Sequence, residues 1–273
     1  MLKLAVLGAQ TLVGRELVHV LEQRDCSVLP LATGVLTKTE EEGDVIVFAP
    51  EPSLLEGLDV VILVDTPQNP ELLTEFHGRV LDLRDTPDPK AEPMPLAGLW
   101  PEGVKALRGR PALDQVLALL PKLVAPVAEV SGTHLRSIAF MGERGVEGLL
   151  EQTVAILNGE DPNLEMLGYR AAFEVVPQVP RGNLIEVRVP AFHGDLLILN
   201  LRSPKEGVVL EPLDPPADVK WAERPPTSRD VAVSSELLAH MTLGPSGSTA
   251  ILTLGFDPIL WGSLRPIMRL LEL

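Results

Sequence analysis

The chain has 273 residues, 45% of them hydrophobic, one cysteine and a formal net charge of −15. Acidity on this scale argues against nucleic acid and anionic membrane surfaces as partners, since both call for clustered Lys and Arg. The lone Cys26 excludes an internal disulfide and a thiolate metal cluster, so no metal site is expected.

No apolar run reaches the ~18 residues of a membrane span. The opening MLKLAVLGAQ reads as a strand rather than a leader, so a cytoplasmic protein of one large or two ordinary domains is expected. Cys26 reads as a small semi-buried residue. The 26 prolines and sparse Asn resemble a heat-adapted composition.

Leu2 to Leu7 forms an apolar run that Gly8 breaks, and Val13, Leu17, Val20 and Leu21 then repeat at helical spacing. Strand, tight turn and helix in this order open doubly wound nucleotide-binding domains, where loop amides and a helix N-terminus hold phosphate. Here the turn reads Gly8, Ala9, Gln10, Thr11, Leu12, Val13, Gly14, with Thr11 where the central glycine is expected. No acidic residue closes the second strand, Ser27 to Thr33, to hold an adenosine ribose. Short strands follow at Val45 to Phe48 and Arg79 to Leu83. Asp59 to Asp65 reads as a strand buried on both faces in mid-sheet, and Pro70 to His77 as a short helix.

Asp85 to Pro101 reads as a proline-rich surface loop, and Pro111 to Leu120 as an amphipathic helix with Leu113, Val116, Leu117 and Leu120 on one face. Pro121 and Pro126 mark a boundary between residues 1–122, completed by 258–273, and a second domain over 123–257. There the pattern predicts a strand from Leu135 to Met141 and a helix from Glu143 to Leu157 with Val146, Leu149, Leu150, Val154 and Leu157 as its stripe. Strands are predicted at Phe173 to Val176, Leu184 to Val189, Leu196 to Leu201 and Ile251 to Phe256, and a last helix at Pro266 to Leu273.

Taken in order, LKLAVLGAQTLVGRELVHVLEQR, LEGLDVVILV, RGVEGLL, AAFEVVPQV, IEVRVPAFHGD, PTSRDVA and WGSLRPIMRLLEL resemble the aspartate-semialdehyde dehydrogenases over nearly the whole chain. The resemblance implies an α/β fold, a Rossmann-like doubly wound N-terminal domain plus an α+β dimerisation domain, and a homodimer. In that family a cysteine thiolate, a histidine acid/base, and an arginine and glutamine that hold substrate reduce an aspartyl phosphate with NADPH.

Matched residue by residue, the nucleophile's position is Leu113, in the run Arg110 to Asp114, and the histidine's is Asp195. The substrate arginine is retained as Arg188, and His193 stands two residues before Asp195, so an extended strand would set both on one face as a displaced pair. Alternatively His193 is a surface histidine beside a carboxylate, and Arg188 sits in an ordinary ion pair. Gly8, Gln10, Thr11, Leu12 and Val13 are the vestigial cofactor positions, Val35 stands near the NADP-phosphate arginine, Thr66-Pro67 replaces a glycine pair and Arg265 an asparagine. The family's phosphate-holding segment shrinks to VPQVPRGNL.

The resulting expectation is a non-catalytic, Usg-type relative that binds NADP weakly or not at all and serves binding or assembly. It is a homodimer, with an unknown protein or a small carboxylate as further partner. Two alternatives are an active NAD(P)-dependent oxidoreductase on another aldehyde or acyl phosphate, and a sensor of small carboxylates using the cleft around Arg188.

Overall fold

The computed structural model describes residues 1–34, 46–84, 86–178, 180 and 182–273. The chain forms two compact units, Met1–Gln115 with Gly262–Leu273, and Val116–Trp261.

In the first unit, β1 (Leu2–Leu7) is fully buried from Leu4 onward. It turns through Gly8, at φ +98°, into α1 (Leu12–Glu22). A Cβ on Gly14 would lie 2.1 Å from the Gly8 carbonyl, so this helix approaches its strand as closely as it does only because Gly14 has no side chain. β2 (Cys26–Leu31), β3 (Val60–Leu63) and β4 (Arg79–Asp82) follow, then β5 (Glu92–Pro93) and β6 (Ala106–Arg108).

The sheet order is β2-β1-β3-β4-β6-β5 with every pair parallel. All four residues of β3 are buried between β1 and β4, which is why that run is continuously apolar. Ala5, Leu7, Leu31, Val61 and Leu63 form one core cluster with Leu55 and Leu72. The strand order reverses between β1 and β3, and ligands of open α/β sheets bind beyond the carboxyl ends at such a point.

Several predicted elements change. Val35, the run Lys38 to Asp44 and Val45 lie outside the described residues, and Phe48 makes an isolated parallel bridge to Leu31. The helix expected at Pro70 to His77 is a 3-10 turn, Pro70–Leu73, capped by Asn69. The expected loop before Pro101 contains β5, and Met94 is fully buried. Arg110 donates to the Met94 carbonyl, and Arg269 to those of Pro95 and Leu96. Arginines distant in sequence thus order a segment that composition marks as loop.

The helix expected from Pro111 to Leu120 is two short ones, α2 (Ala112–Leu117) and α3 (Leu120–Leu123), with Pro121 opening the second because it has no amide to donate.

In the second unit β7 (Val124–Ala125) precedes β8 (Glu129–Arg136), and Ile138–Met141 is a 3-10 turn. The strand predicted from Leu135 to Met141 therefore lies too late, because Glu129, Ser131 and Thr133 disguise the true strand as polar. After α4 (Gly142–Leu157), β9 (Val176–Pro177) is all that forms of the strand expected from Phe173. β10 (Leu184–Arg188) and β11 (Asp195–Arg202) match their expected positions.

β12 (Glu211–Pro212) pairs with β7. β13 (Val219–Trp221), α5 (Ser228–Ala232) and β14 (Leu237–Leu243) were not predicted, and β15 (Thr249–Phe256) was. The mixed sheet runs β13-β14-β15-β11-β8-β10-β9. A π-helical turn, Leu260–Leu264, leads into α6 (Arg265–Leu271).

α4 corrects the predicted stripe. Its buried residues are Gly145, Gly148, Leu149 and Gln152, against Ile138, Leu167, Ala171 and Ala172. Leu150, Val154 and Leu157 are exposed.

At the end of β4, Asp82 is 2% exposed and accepts from Arg84 Nε at 2.8 Å, Arg84 Nη2 at 2.6 Å and the Asp88 amide at 2.8 Å. Burial pushes this carboxyl up, but hydrogen bonds from the Arg84 guanidinium and from the Asp88 and Arg84 amides outweigh it and hold the group below the usual carboxylate range. A lowered folded value means that the stabilisation is complete above the unfolded value of about 3.9 and is lost as pH falls through the folded one. Urea titrations should give a constant stability difference between wild type and Asp82→Asn from pH 7 to 5, narrowing below about pH 4.

Candidate functional site

The turn after β1 uses its own hydrogen-bonding groups. The amides of Gly8 and Ala9 both donate to the Leu31 carbonyl, at 2.9 and 3.0 Å, and the Thr11 amide donates to the Gly8 carbonyl at 3.0 Å. Thr11 Oγ1 donates to that same carbonyl and accepts from the Gly14 amide at 3.1 Å, capping α1. Four amides of this turn are therefore bonded within the chain.

Gln10 Nε2 donates to Thr33 Oγ1 at 2.8 Å, joining the turn to the segment after β2. The Gln68 side chain lies against the backbone of Gly34, and the Gln68 amide donates to the Thr33 carbonyl at 2.7 Å. Gln10, Thr33 and Gln68 thus meet at the switch point, the first two through their side chains. Val35, matched to the cofactor phosphate, lies outside the described residues.

Leu113 on α2 is 8% exposed, a core position, with Asp114 beside it in the first turn. Cys26 is half-buried and its thiol donates to the Leu21 carbonyl at 3.1 Å. Burial and the neighbouring Asp25 raise its pKa, which keeps it a thiol rather than a thiolate.

In the second unit Asp195 is 1% exposed. Its Oδ1 accepts from the Ser137 amide at 2.9 Å and Ser137 Oγ at 2.7 Å, and its Oδ2 lies 2.8 Å from His134 Nε2. His134 stacks on Phe256, and its Nδ1 is buried without a hydrogen bond.

His193 does not share the Asp195 site. Gly194, at φ +86°, stands between them, and His193 Nε2 pairs with Asp257 Oδ2 at 2.8 Å. Asp257 also caps the following turn through the Ile259 and Leu260 amides. The displaced His193–Asp195 pair is therefore corrected to two separate His–Asp pairs, because β11 begins only at Asp195 and extended geometry does not reach back to His193.

Arg188 is in no ion pair among the described residues, which corrects the ordinary-ion-pair reading. Its guanidinium lies 5.0 Å from the Phe140 ring and 5.3 Å from that of Tyr169. Its strand neighbour Arg136, 4.0 Å from the same Phe140 ring, pairs with Glu186 at 3.2 Å. Arg188 Nε and the Tyr169 hydroxyl are buried without hydrogen-bond partners. The described residues hold no group of three or more His, Cys, Asp or Glu suited to a metal, and no helix long and apolar enough to cross a membrane.

No protein-family model matches the sequence, and a search of curated proteins returns no match. Solved structures do match. A probable aspartate-semialdehyde dehydrogenase from Pseudomonas aeruginosa aligns with TM-score 0.73 and 20% identity over 98% of this chain and 96% of that one. Aspartate semialdehyde dehydrogenase II from Vibrio cholerae, complexed with ASA, aligns with TM-score 0.75 and 16% identity over 100% and 97%. The enzyme from Francisella tularensis gives 0.73 and 14% over 100% and 99%. The fold is that of the aspartate-semialdehyde dehydrogenases.

Within this dehydrogenase fold the sequence missed His134, Ser137, Phe140, Tyr169 and Asp257. One signal was readable: Leu197, Leu199 and Leu201 alternate onto a buried face, and stepping back two residues puts Asp195 on it. A buried carboxylate needs donors, but spacing cannot say which.

Removing this carboxylate leaves His134 and Ser137 without their acceptor. Asp195→Ala should lower unfolding stability by about 1–3 kcal/mol for each donor left buried without a partner, read from urea denaturation followed by tryptophan fluorescence.

Proposed function

We propose that this chain is a non-catalytic relative of aspartate-semialdehyde dehydrogenase, of the divergent Usg type, that acts through binding and assembly. The observation that carries the reading is the burial of Leu113, the residue matched to the nucleophile: a leucine packed in the core neither attacks a carbonyl nor leaves room for a thiolate there. Asp195, matched to the acid/base histidine, supports it, since both its oxygens are bonded inside the protein. So does the cofactor turn, where Thr11 caps the helix and Gln10 bonds Thr33.

One observation favours a second reading beside the first. Arg188 is half-buried and has no acidic partner among the described residues, so its guanidinium can hold a small carboxylate in a fork of two hydrogen bonds. A relative that has lost its chemistry can still sense such a ligand.

Assembly rests on the mixed sheet. On one face Leu135, Leu196 and Ile198 are half-buried, and Ile185 and Ile251 are 45% and 48% exposed. The register sets Leu196 beside Leu135 and Asn200 beside Ile251, so these side chains form one continuous patch. A second copy, related by two-fold symmetry, covers such a face most economically.

Two measurements test the function. The purified protein should not interconvert aspartate semialdehyde and aspartyl phosphate with NADP or NAD, and calorimetry should find NADP affinity no tighter than about 1 mM, some −4 kcal/mol. Turnover that disappears in Cys26→Ala, or micromolar NADP binding, would overturn the reading. In light scattering the protein should run as a homodimer at micromolar concentration, with an interface of more than about 2,000 Å² as in obligate dimers. A monomer mass would remove the assembly role.

A further inference from the structure

The Arg188 region holds a second functional group that the resemblance does not supply. Tyr169, the only tyrosine of the chain, presents its ring to the Arg188 guanidinium at 5.3 Å, and its hydroxyl is buried with no hydrogen-bond partner. Buried hydroxyls are nearly always bonded, because leaving one unpaired forfeits its hydration without return. Arg188 Nε, on the same stacked pair, is in the same condition. Two buried donors, one of them cationic, thus belong to one stacked pair and have no acceptor among the described residues.

The local charge defines the complement. Arg136 and Arg188 stand side by side on paired strands, and Glu186 neutralises the first at 3.2 Å. One positive charge is left over. Phe140, within 4.0 Å of Arg136 and 5.0 Å of Arg188, supplies a flat apolar floor. A single positive charge on a planar fork, with a phenol beside it, suits a planar, singly charged carboxylate group better than a tetrahedral phosphate.

The wall that carries Tyr169 is braced from α4. Gln152, 1% exposed, donates to the carbonyls of Asn163 and Tyr169 at 3.1 and 3.0 Å and accepts from the amides of Ala171 and Ala172. One buried amide thus ties together the backbone of the segment that carries the tyrosine, without using its hydroxyl.

We propose that Tyr169 is the second donor of a carboxylate seat, its hydroxyl bonding the same ligand carboxylate that Arg188 grips, with Gln152 as the positioning residue. This inference rests on the reading of Arg188 as a carboxylate-binding residue and adds to it the residue that sets affinity and ligand class.

Succinate serves as probe, with inorganic phosphate as comparator, in calorimetry on the full-length protein. 3-Fluorotyrosine incorporation gives one fluorine resonance, because the chain has one tyrosine. Succinate should shift that resonance with the same saturation curve that calorimetry gives. Arg188→Met should abolish binding. Tyr169→Phe should weaken it by at least about ten-fold, as expected for a lost hydrogen bond to a charged group, while leaving the unliganded protein as stable as wild type or more so.

Succinate binding that Arg188→Met abolishes but Tyr169→Phe leaves unchanged would overturn this inference and leave the Arg188 reading standing. The absence of any succinate binding by wild type would remove both. Loss of stability in unliganded Tyr169→Phe would reduce the hydroxyl to a structural role, and phosphate binding as tight as succinate would overturn the carboxylate assignment.

Discussion

A carboxylate 1% exposed at the start of a sheet strand must be given donors or the strand cannot be buried, and the second unit is arranged around meeting that demand at Asp195. β11 pairs with β8 so that His134, two residues before the end of β8, meets one oxygen, while Ser137, one residue beyond the strand, meets the other with both its amide and its hydroxyl. The 3-10 turn at Ile138–Met141 begins where Ser137 is fixed, and it brings Phe140 onto Arg136 and Arg188. The same bonds that allow the strand to be buried occupy both oxygens of the carboxylate.

The first unit meets a similar demand differently. A parallel sheet leaves amides at its carboxyl edge, and in nucleotide-binding members of this architecture a phosphate receives some of them. Here the Leu31 carbonyl takes two, the Gly8 carbonyl takes one, and Thr11 takes a fourth. Gln10 and Gln68 bridge the loops beside it. A threonine at the turn supplies the oxygen that the helix N-terminus requires.

The aromatic and cationic side chains between β8, β10 and the 3-10 turn form the part of the second unit with free bonding capacity. Arg136 is paired and Arg188 is not, though both lie over Phe140. A guanidinium stacked on rings stays in place without a carboxylate partner, since cation–π contact and planar packing hold it. That difference between neighbours gives the unit a positively charged, preorganised edge on an otherwise acidic chain.

What the sequence by itself determined is the framework: strand, turn and helix at the N-terminus, the buried central strand from Val60, the pair β10 and β11, and an apolar residue, Leu113, that packs in the core. These are legible because apolar periodicity is a local property. Tertiary structure alone decided the rest. β8 reads as polar although it lies centrally in its sheet, and the loop before Pro101 is ordered by arginines up to about 170 residues away in sequence. Part of the α4 stripe that periodicity points inward, Leu150, Val154 and Leu157, faces outward, because the buried face is the one that carries Gly145, Gly148, Leu149 and Gln152. His193 pairs with Asp257, and Asp195 with His134, across separations of 64 and 61 residues. A donor for a buried charge can come from any part of the chain, so only the folded geometry chooses it.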